Sequence, residues 1–222
     1  MAQNYLLTKS KYIRGLQCDR ALWLDVFRPS LARYSPEQMR RFDRGREFEY
    51  AFKETFPEGI DISAELKRNT GAYPELTAQL LDKGGKVDLF EAGFLYNDVL
   101  VLADVVHGRD DGSIDVYEVK SGTKLSDTYR RDAALQHYVI SHCRRVNSFS
   151  LVYNDDNGGF VKVELMDELQ TCHAEIERNI AVMKDLLQQG EPATPTGQHC
   201  LSPYACPYQH YCAQGIRQLS LF

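Results

Sequence analysis

No apolar run among the 222 residues approaches the roughly 18 needed to span a bilayer. The opening MAQNYLLTKSKY lacks the basic-then-apolar order of a secretory signal. A cytoplasmic protein with no membrane contact is therefore expected, a setting in which structural disulfides are disfavoured. Internal repeats and low-complexity tracts are also missing, which excludes a repeat array. An overall basic charge is lacking too, since the net charge is −5 and nothing in the total advertises nucleic acid. Finally, the six cysteines include neither the short C-x2–4-C pair of most zinc sites nor the close runs of ferredoxins.

What is present is a composition suited to a buried core, 43% apolar against 26% charged, in a length that fits one domain, 1–222. The charge is unevenly spread. Residues 1–46 hold ten basic side chains and four acidic ones, which leaves +6 there and −11 in the remainder. Such a segment reads either as an anion-binding face or as a set of solvated helix faces. Periodicity predicts helices over 8–26 and 36–56, the second opened by Pro36 and closed before Pro57. A short helix is expected near 74–82 and a strand in KVDLFEAGFLY, 86–96. Strands follow at 98–106 and 113–122, then a helix at 127–142, strands at 148–153 and 159–165, and a long helix over 167–189 that stops at Gly190. The remainder reads as loop-rich and holds three of the cysteines. The order predicts an α/β or α+β protein with a mixed sheet flanked by helices.

The hairpin at 98–122 can be treated as geometry. Gly112 suits a left-handed position, so Asp110-Asp111-Gly112 predicts a three-residue loop that sets Arg109 against Ser113. That register puts Asp104 opposite Glu118, and the two-residue strand period puts Lys120 on the face of Glu118. Facing carboxylates repel unless a cation or proton lies between them. A hard divalent ion, Mg²⁺ or Mn²⁺, is the natural occupant, and a lysine beside it fits metal-assisted phosphodiester hydrolysis. The same three residues also read as ordinary charges on a solvent-facing strand, although the apolar runs VLVLAD and VYEVK favour buried charges that need partners.

Asp104, then Glu118-Val119-Lys120-Ser121, then a helix carrying Gln136 and Tyr138, together resemble the PD-(D/E)XK nuclease superfamily in its RecB-like branch. The resemblance implies a restriction-endonuclease-like mixed sheet, with Asp104, Glu118 and the backbone carbonyl of Val119 as metal ligands. It also implies that Lys120 orients or activates the attacking water and that Gln136 supports the site or the DNA backbone, while Tyr138 reads as packing. The related CRISPR-associated Cas-four nucleases add a histidine in a G-x-x-x-H pattern. Here GREFE places Glu49 four residues after Gly45, which reads as a further metal ligand or as an exposed helix residue.

Cys200, Cys206 and Cys212 recur at equal spacing, and Cys18, Cys143 and Cys172 are the candidates for a fourth thiolate. The same resemblance, to Cas-four and AddB-type nucleases, implies a [4Fe–4S] cluster held by Cys18, Cys200, Cys206 and Cys212, with zinc as the alternative metal. Residues 1–35 and 190–217 would then form a cluster-binding part, joining the N-terminal helix to the C-terminal loop region in a structural role. The ending QLSLF, Gln218–Phe222, looks like the bacterial sliding-clamp-binding pentapeptide and reads equally as a tail folded onto its own domain. Together these features imply a metal-dependent deoxyribonuclease, an exonuclease on single-stranded DNA. A DNA-binding adaptor of the same fold that cuts slowly or not at all is the alternative.

Overall fold

The structure, a computed structural model, describes residues 5–67, 69–155 and 157–219, with side chains as far as residue 214. The chain begins with β1 (Leu7–Thr8) and α1 (Lys9–Gln17), followed by α2 (Asp19–Phe27) and α3 (Pro36–Lys53). Then come β2 (Ile60–Asp61), α4 (Ile62–Leu66), α5 (Tyr73–Asp82), β3 (Val87–Tyr96), β4 (Val99–Gly108) and β5 (Ile114–Lys120). The remaining elements are α6 (Asp127–Cys143), β6 (Val146–Asn154), β7 (Phe160–Glu164), α7 (Met166–Thr171), α8 (His173–Leu187) and α9 (Gln209–Leu219). Among the described residues no helix is long and apolar enough to cross a membrane.

Seven strands form one mixed sheet in the order β2-β3-β4-β5-β6-β7, with β1 pairing beside β4. The meander β3-β4-β5 is antiparallel, β6 joins β5 in parallel and β7 returns antiparallel. A parallel step cannot be made by a tight turn, so α6 crosses over between β5 and β6. The hairpin register is the expected one. The Arg109 N–H donates to the Ser113 carbonyl at 3.0 Å, and Gly112 takes φ +76° in the loop. Val105 pairs with Tyr117, Val106 with Val116 and His107 with Asp115.

The larger core lies on one face of the sheet, where Ala103, Val106, Ile114 and Val116 meet Ala133, Leu135 and Val139 of α6. Helix α8 contributes Ile176, Ile180, Met183 and Leu187, a buried stripe at helical spacing. The opposite face is covered by α3. Phe52 is 1% exposed and sets its ring 5.2 Å from that of Phe160 and 5.9 Å from that of Tyr117, over Phe90, Val105, Val119 and Val152. A capping box begins α3, with Ser35 and Gln38 exchanging bonds and Pro36 at the first turn.

Two expectations differ from the structure. The helix at 8–26 is two helices that break at Cys18, where the backbone is extended at φ −166°. The helix at 167–189 is likewise broken at Cys172. The loop-rich tail ends in α9.

Because Phe52 anchors α3 to the sheet, Phe52→Ala should destabilise the protein by about 3–5 kcal/mol. Denaturant unfolding with an unchanged slope is the check, and a loss under about 1 kcal/mol would mean that this ring does not hold the helix.

Candidate active site

The β3–β4 ladder is interrupted at one pair. Phe90 pairs with Val105 and Ala92 with Ala103, but Glu91 and Asp104 stand between them without ladder bonds. Glu91 has φ +54°, a left-handed conformation that costs a non-glycine residue about 1–3 kcal/mol. Both strands change face here. Ala103 and Val106 belong to the larger core, whereas Val105 and Phe90 pack under α3. The β4–β5 ladder ends at the same place, because Val105↔Tyr117 is its last pair. Beyond it the Val119 N–H donates to Asp104 Oδ2 at 2.7 Å, so a carboxylate takes the place of a strand carbonyl.

Oxygen atoms of Glu49, Glu91 and Asp104 all lie within 4.8 Å of one another. Glu49 comes from α3 and is half-buried, so it is not the freely exposed helix residue of the second sequence reading. Lys53, one helical turn on, bonds both Glu49 and Glu91, the latter at 2.7 Å. Burial works against the Lys53 ammonium, but Glu91 and Glu49 outweigh it and hold its pKa above the ordinary lysine value. A cleft of about 250 Å³ opens onto this group, lined by Arg46, Glu49, Tyr50, Lys53 and Glu91 among others. Burial, then the charges of Glu118 and Glu49, push the Asp104 carboxyl well above the usual carboxylate range.

Glu118 and Lys120 lie together in a square of alternating charge. Glu118 Oε1 accepts from Lys120 and from Lys9 of α1, the latter at 2.7 Å. Asp132 of α6 closes the square, 2.5 Å from Lys120 and 3.9 Å from Lys9. Burial would raise the Glu118 carboxyl, but Lys120 and Lys9 reverse this and hold it well below the ordinary range. The structure therefore pairs Glu118 with ammonium groups and groups Asp104 with Glu49 and Glu91, rather than facing two bare carboxylates across a hairpin. Counting both assemblies, five carboxyl groups meet three ammonium groups, so with all five ionised the group is short of two positive charges. Buried polar atoms remain without hydrogen-bond partners here: Glu118 Oε2, Asp132 Oδ1 and both amide atoms of Gln136, which is fully buried. Each such atom costs about 1–3 kcal/mol unless something satisfies it. A divalent ion fits both the charge deficit and the oxygen donor set. Tyr138 packs in the larger core and its hydroxyl accepts from Asn97.

Glu91, Lys53, Asp132 and Lys9 were not among the residues singled out from sequence. Asp132 precedes Gln136 by one helical turn and so shares its face, a signal that was available. Glu91 interrupts the apolar run of β3, which was a second signal. Lys9 gave none, because its approach depends on β1 pairing with β4.

A third cluster gathers the cysteines. Cys18, Cys206 and Cys212 pack with Ala21, Leu24 and Tyr208, and the Cys206 N–H donates to the Cys200 carbonyl at 2.8 Å. Cys18 is the N-cap of α2, with the backbone N–H groups of Ala21 and Arg20 near its thiol. Burial raises the Cys18, Cys206 and Cys212 thiols, with the other thiols of the set adding to the effect. Cys143 and Cys172 lie elsewhere, near the carbonyls of Leu95 and Glu168. All six cysteines are free. Among the described residues no three of the four clustered sulfurs lie within 4.8 Å of one another. A closed tetrahedral zinc site, with Zn–S about 2.3 Å, needs sulfurs about 3.8 Å apart. The donor set is four thiols, which suits zinc and iron–sulfur centres alike. The pentapeptide Gln218–Phe222 lies outside the described residues apart from the backbone of its first two, which end α9.

No family model matches this sequence, and no curated protein matches it. Among solved structures the chain is similar to the crystal structure of SSO0001, with 15% identity and a TM-score of 0.49, over 96% of this chain and 87% of that one. It is also similar to an alkaline exonuclease, LHK-Exo, from Laribacter hongkongensis, with 13% identity and a TM-score of 0.30, over 55% of this chain and 72% of that one.

The raised Asp104 carboxyl gives a stability prediction with a definite sign. Its contribution is full below the ordinary carboxylate range and is lost as pH rises through the elevated folded value. Asp104→Asn keeps an acceptor for the Val119 N–H, so without metal it should be at least as stable as wild type at neutral pH. Mn²⁺ should stabilise wild type, by about 2.7 kcal/mol at a hundredfold excess over Kd, and leave the Asn variant unmoved. Thermal unfolding with and without Mn²⁺ decides this, and equal stabilisation of both proteins would remove Asp104 from the metal site.

Proposed function

We propose that the protein is a divalent-metal-dependent nuclease that hydrolyses DNA phosphodiester bonds, a PD-(D/E)XK enzyme of the RecB-like branch. The observation that carries this reading is the group of half-buried Glu49 and Glu91 with buried Asp104, whose oxygens lie within 4.8 Å of one another, near the Glu118–Lys120 pair. Asp104, Glu118, Glu49 and the Val119 carbonyl would hold Mg²⁺ or Mn²⁺, and Glu91 joins them as an acid of the same group. The ion, when bound, supplies charge for the phosphate oxygens and acidifies a water. Lys120, fixed on its other side by Asp132, holds an ammonium where it can orient that water. Gln136 offers an unsatisfied amide to the same interior.

Support for single-stranded DNA comes from α3, whose Arg40, Arg41 and Arg44 are exposed, as are Phe42 and, at 63%, Tyr50. Aromatic faces alternating with arginine suit unpaired bases and their backbone. An exonuclease is the mode we propose. Cys18, Cys200, Cys206 and Cys212 would hold a structural [4Fe–4S] cluster joining α1 and α2 to the C-terminal region, and Gln218–Phe222 would bind a sliding clamp.

Labelled single- and double-stranded DNA incubated with Mn²⁺ or Mg²⁺ tests the enzyme. Lys120→Ala and Asp104→Ala should each lower cleavage by at least about 100-fold while DNA still binds. Removing residues 218–222 should spare short-DNA cleavage and abolish clamp binding. Bound but uncut DNA with wild type and variants alike would point instead to a non-catalytic adaptor. The cluster is checked by composition: protein purified with its metal intact should be brown and contain iron and sulfide, and Cys212→Ser should lose both. Colourless protein with stoichiometric zinc would replace the cluster with zinc.

A further inference from the structure

Lys9 is placed with unusual care for an N-terminal lysine. β1 is only two residues long, pairing Leu7 with Val99 and Thr8 with Leu100 on the strand that carries Asp104. Leu7 is fully buried and its N–H donates to the Asp98 carbonyl at 2.9 Å. Thr8 then caps α1, its hydroxyl accepting the Lys11 N–H. The first residue of the helix, Lys9, is thereby aimed from a fixed backbone into the charge square.

Within the square the two ammonium groups are not equivalent. Lys120 has two close partners, Glu118 and Asp132, the latter at 2.5 Å. Lys9 has one, Glu118 at 2.7 Å, and stands 3.9 Å from Asp132, beyond hydrogen-bond reach. Lys9 is also the most open member, with its side chain 26% exposed against 18% for Lys120, 11% for Asp132 and 0% for Glu118. If Glu118 turns to a cation, Lys120 keeps Asp132 at hydrogen-bond distance, while Lys9 keeps it only as an ion pair at 3.9 Å. A partly solvated ammonium so placed has N–H donors to offer an anion.

We propose that Lys9 is a phosphate-binding residue, which grips a non-bridging oxygen of the bond to be cut once Glu118 is engaged by metal. The inference rests on the metal-dependent nuclease reading. It divides the labour between two lysines: Lys120, braced by Asp132, for the water, and Lys9 for the phosphate. In the metal-free protein Lys9 acts as a stand-in cation on Glu118, so it opposes metal entry.

Two measurements on the full chain separate this role from simple support of the fold. Lys9→Met should lower kcat/KM on labelled DNA by about 10–100-fold, the scale of one charged hydrogen bond, and Lys9→Arg should recover part of it. Calorimetric titration of Mn²⁺ should give Lys9→Met an affinity equal to or tighter than wild type. Inorganic phosphate titrated into Mn²⁺-loaded protein should bind about tenfold or more weakly to Lys9→Met. Unchanged phosphate affinity, or weakened Mn²⁺ affinity, would overturn the proposal. Should wild type cut no DNA, the nuclease reading would fall while the phosphate titration still decides Lys9.

Discussion

Asp104 accepts the Val119 N–H with its side chain, and that single bond fixes much else. A strand that receives a carboxylate where it would receive a carbonyl cannot continue its ladder, so β4 and β5 part after Val105 and Tyr117. The parting leaves a carboxyl in the interior, and the neighbouring chain segments gather charged groups around it. β3 accepts a left-handed residue at Glu91, α3 brings Glu49 with Lys53, α1 brings Lys9 and α6 brings Asp132. Together they still fall short of neutrality. Residual negative charge in a buried place is expensive, and a proton or a cation there would relieve it.

The parts of this arrangement that were legible from sequence are local. Gly112 with two preceding aspartates dictates a turn, and the turn dictates the pairing of Val106 with Val116 and His107 with Asp115. Strand alternation then places Lys120 on the side of Glu118, and they do bond. Glu49, from α3, joins Asp104 in one group. The illegible parts are long-range. Nothing near Lys9 tells that two preceding residues add to β4, and nothing near Glu91 tells that both it and Asp104 leave the ladder together.

Periodicity misled where two helices share one pattern. Residues 8–26 keep a helical spacing through Cys18, so they read as one element, yet the chain turns extended there and restarts. The restart puts Cys18 at the N-cap of α2, where nearby N–H groups oppose, without overcoming, the burial that raises its thiol. Cys172 breaks a second helix, between α7 and α8, without joining the other cysteines. A break at cysteine is thus not by itself a sign of ligation. What distinguishes Cys18 is its company, Cys206, Cys212 and Tyr208 packed against α2.

Helix α1 has Lys9 at one end and meets Cys18 at the other. Nine residues of helix span about 14 Å and bend little. Gln17 ties the far end down through the carbonyls of His199 and Tyr204, beside Cys200 and Cys206. The helix is therefore a push-rod between two chemically unlike chambers. A displacement of Cys18 and Gln17 at one end is thus felt at the other, where Lys9 meets Glu118.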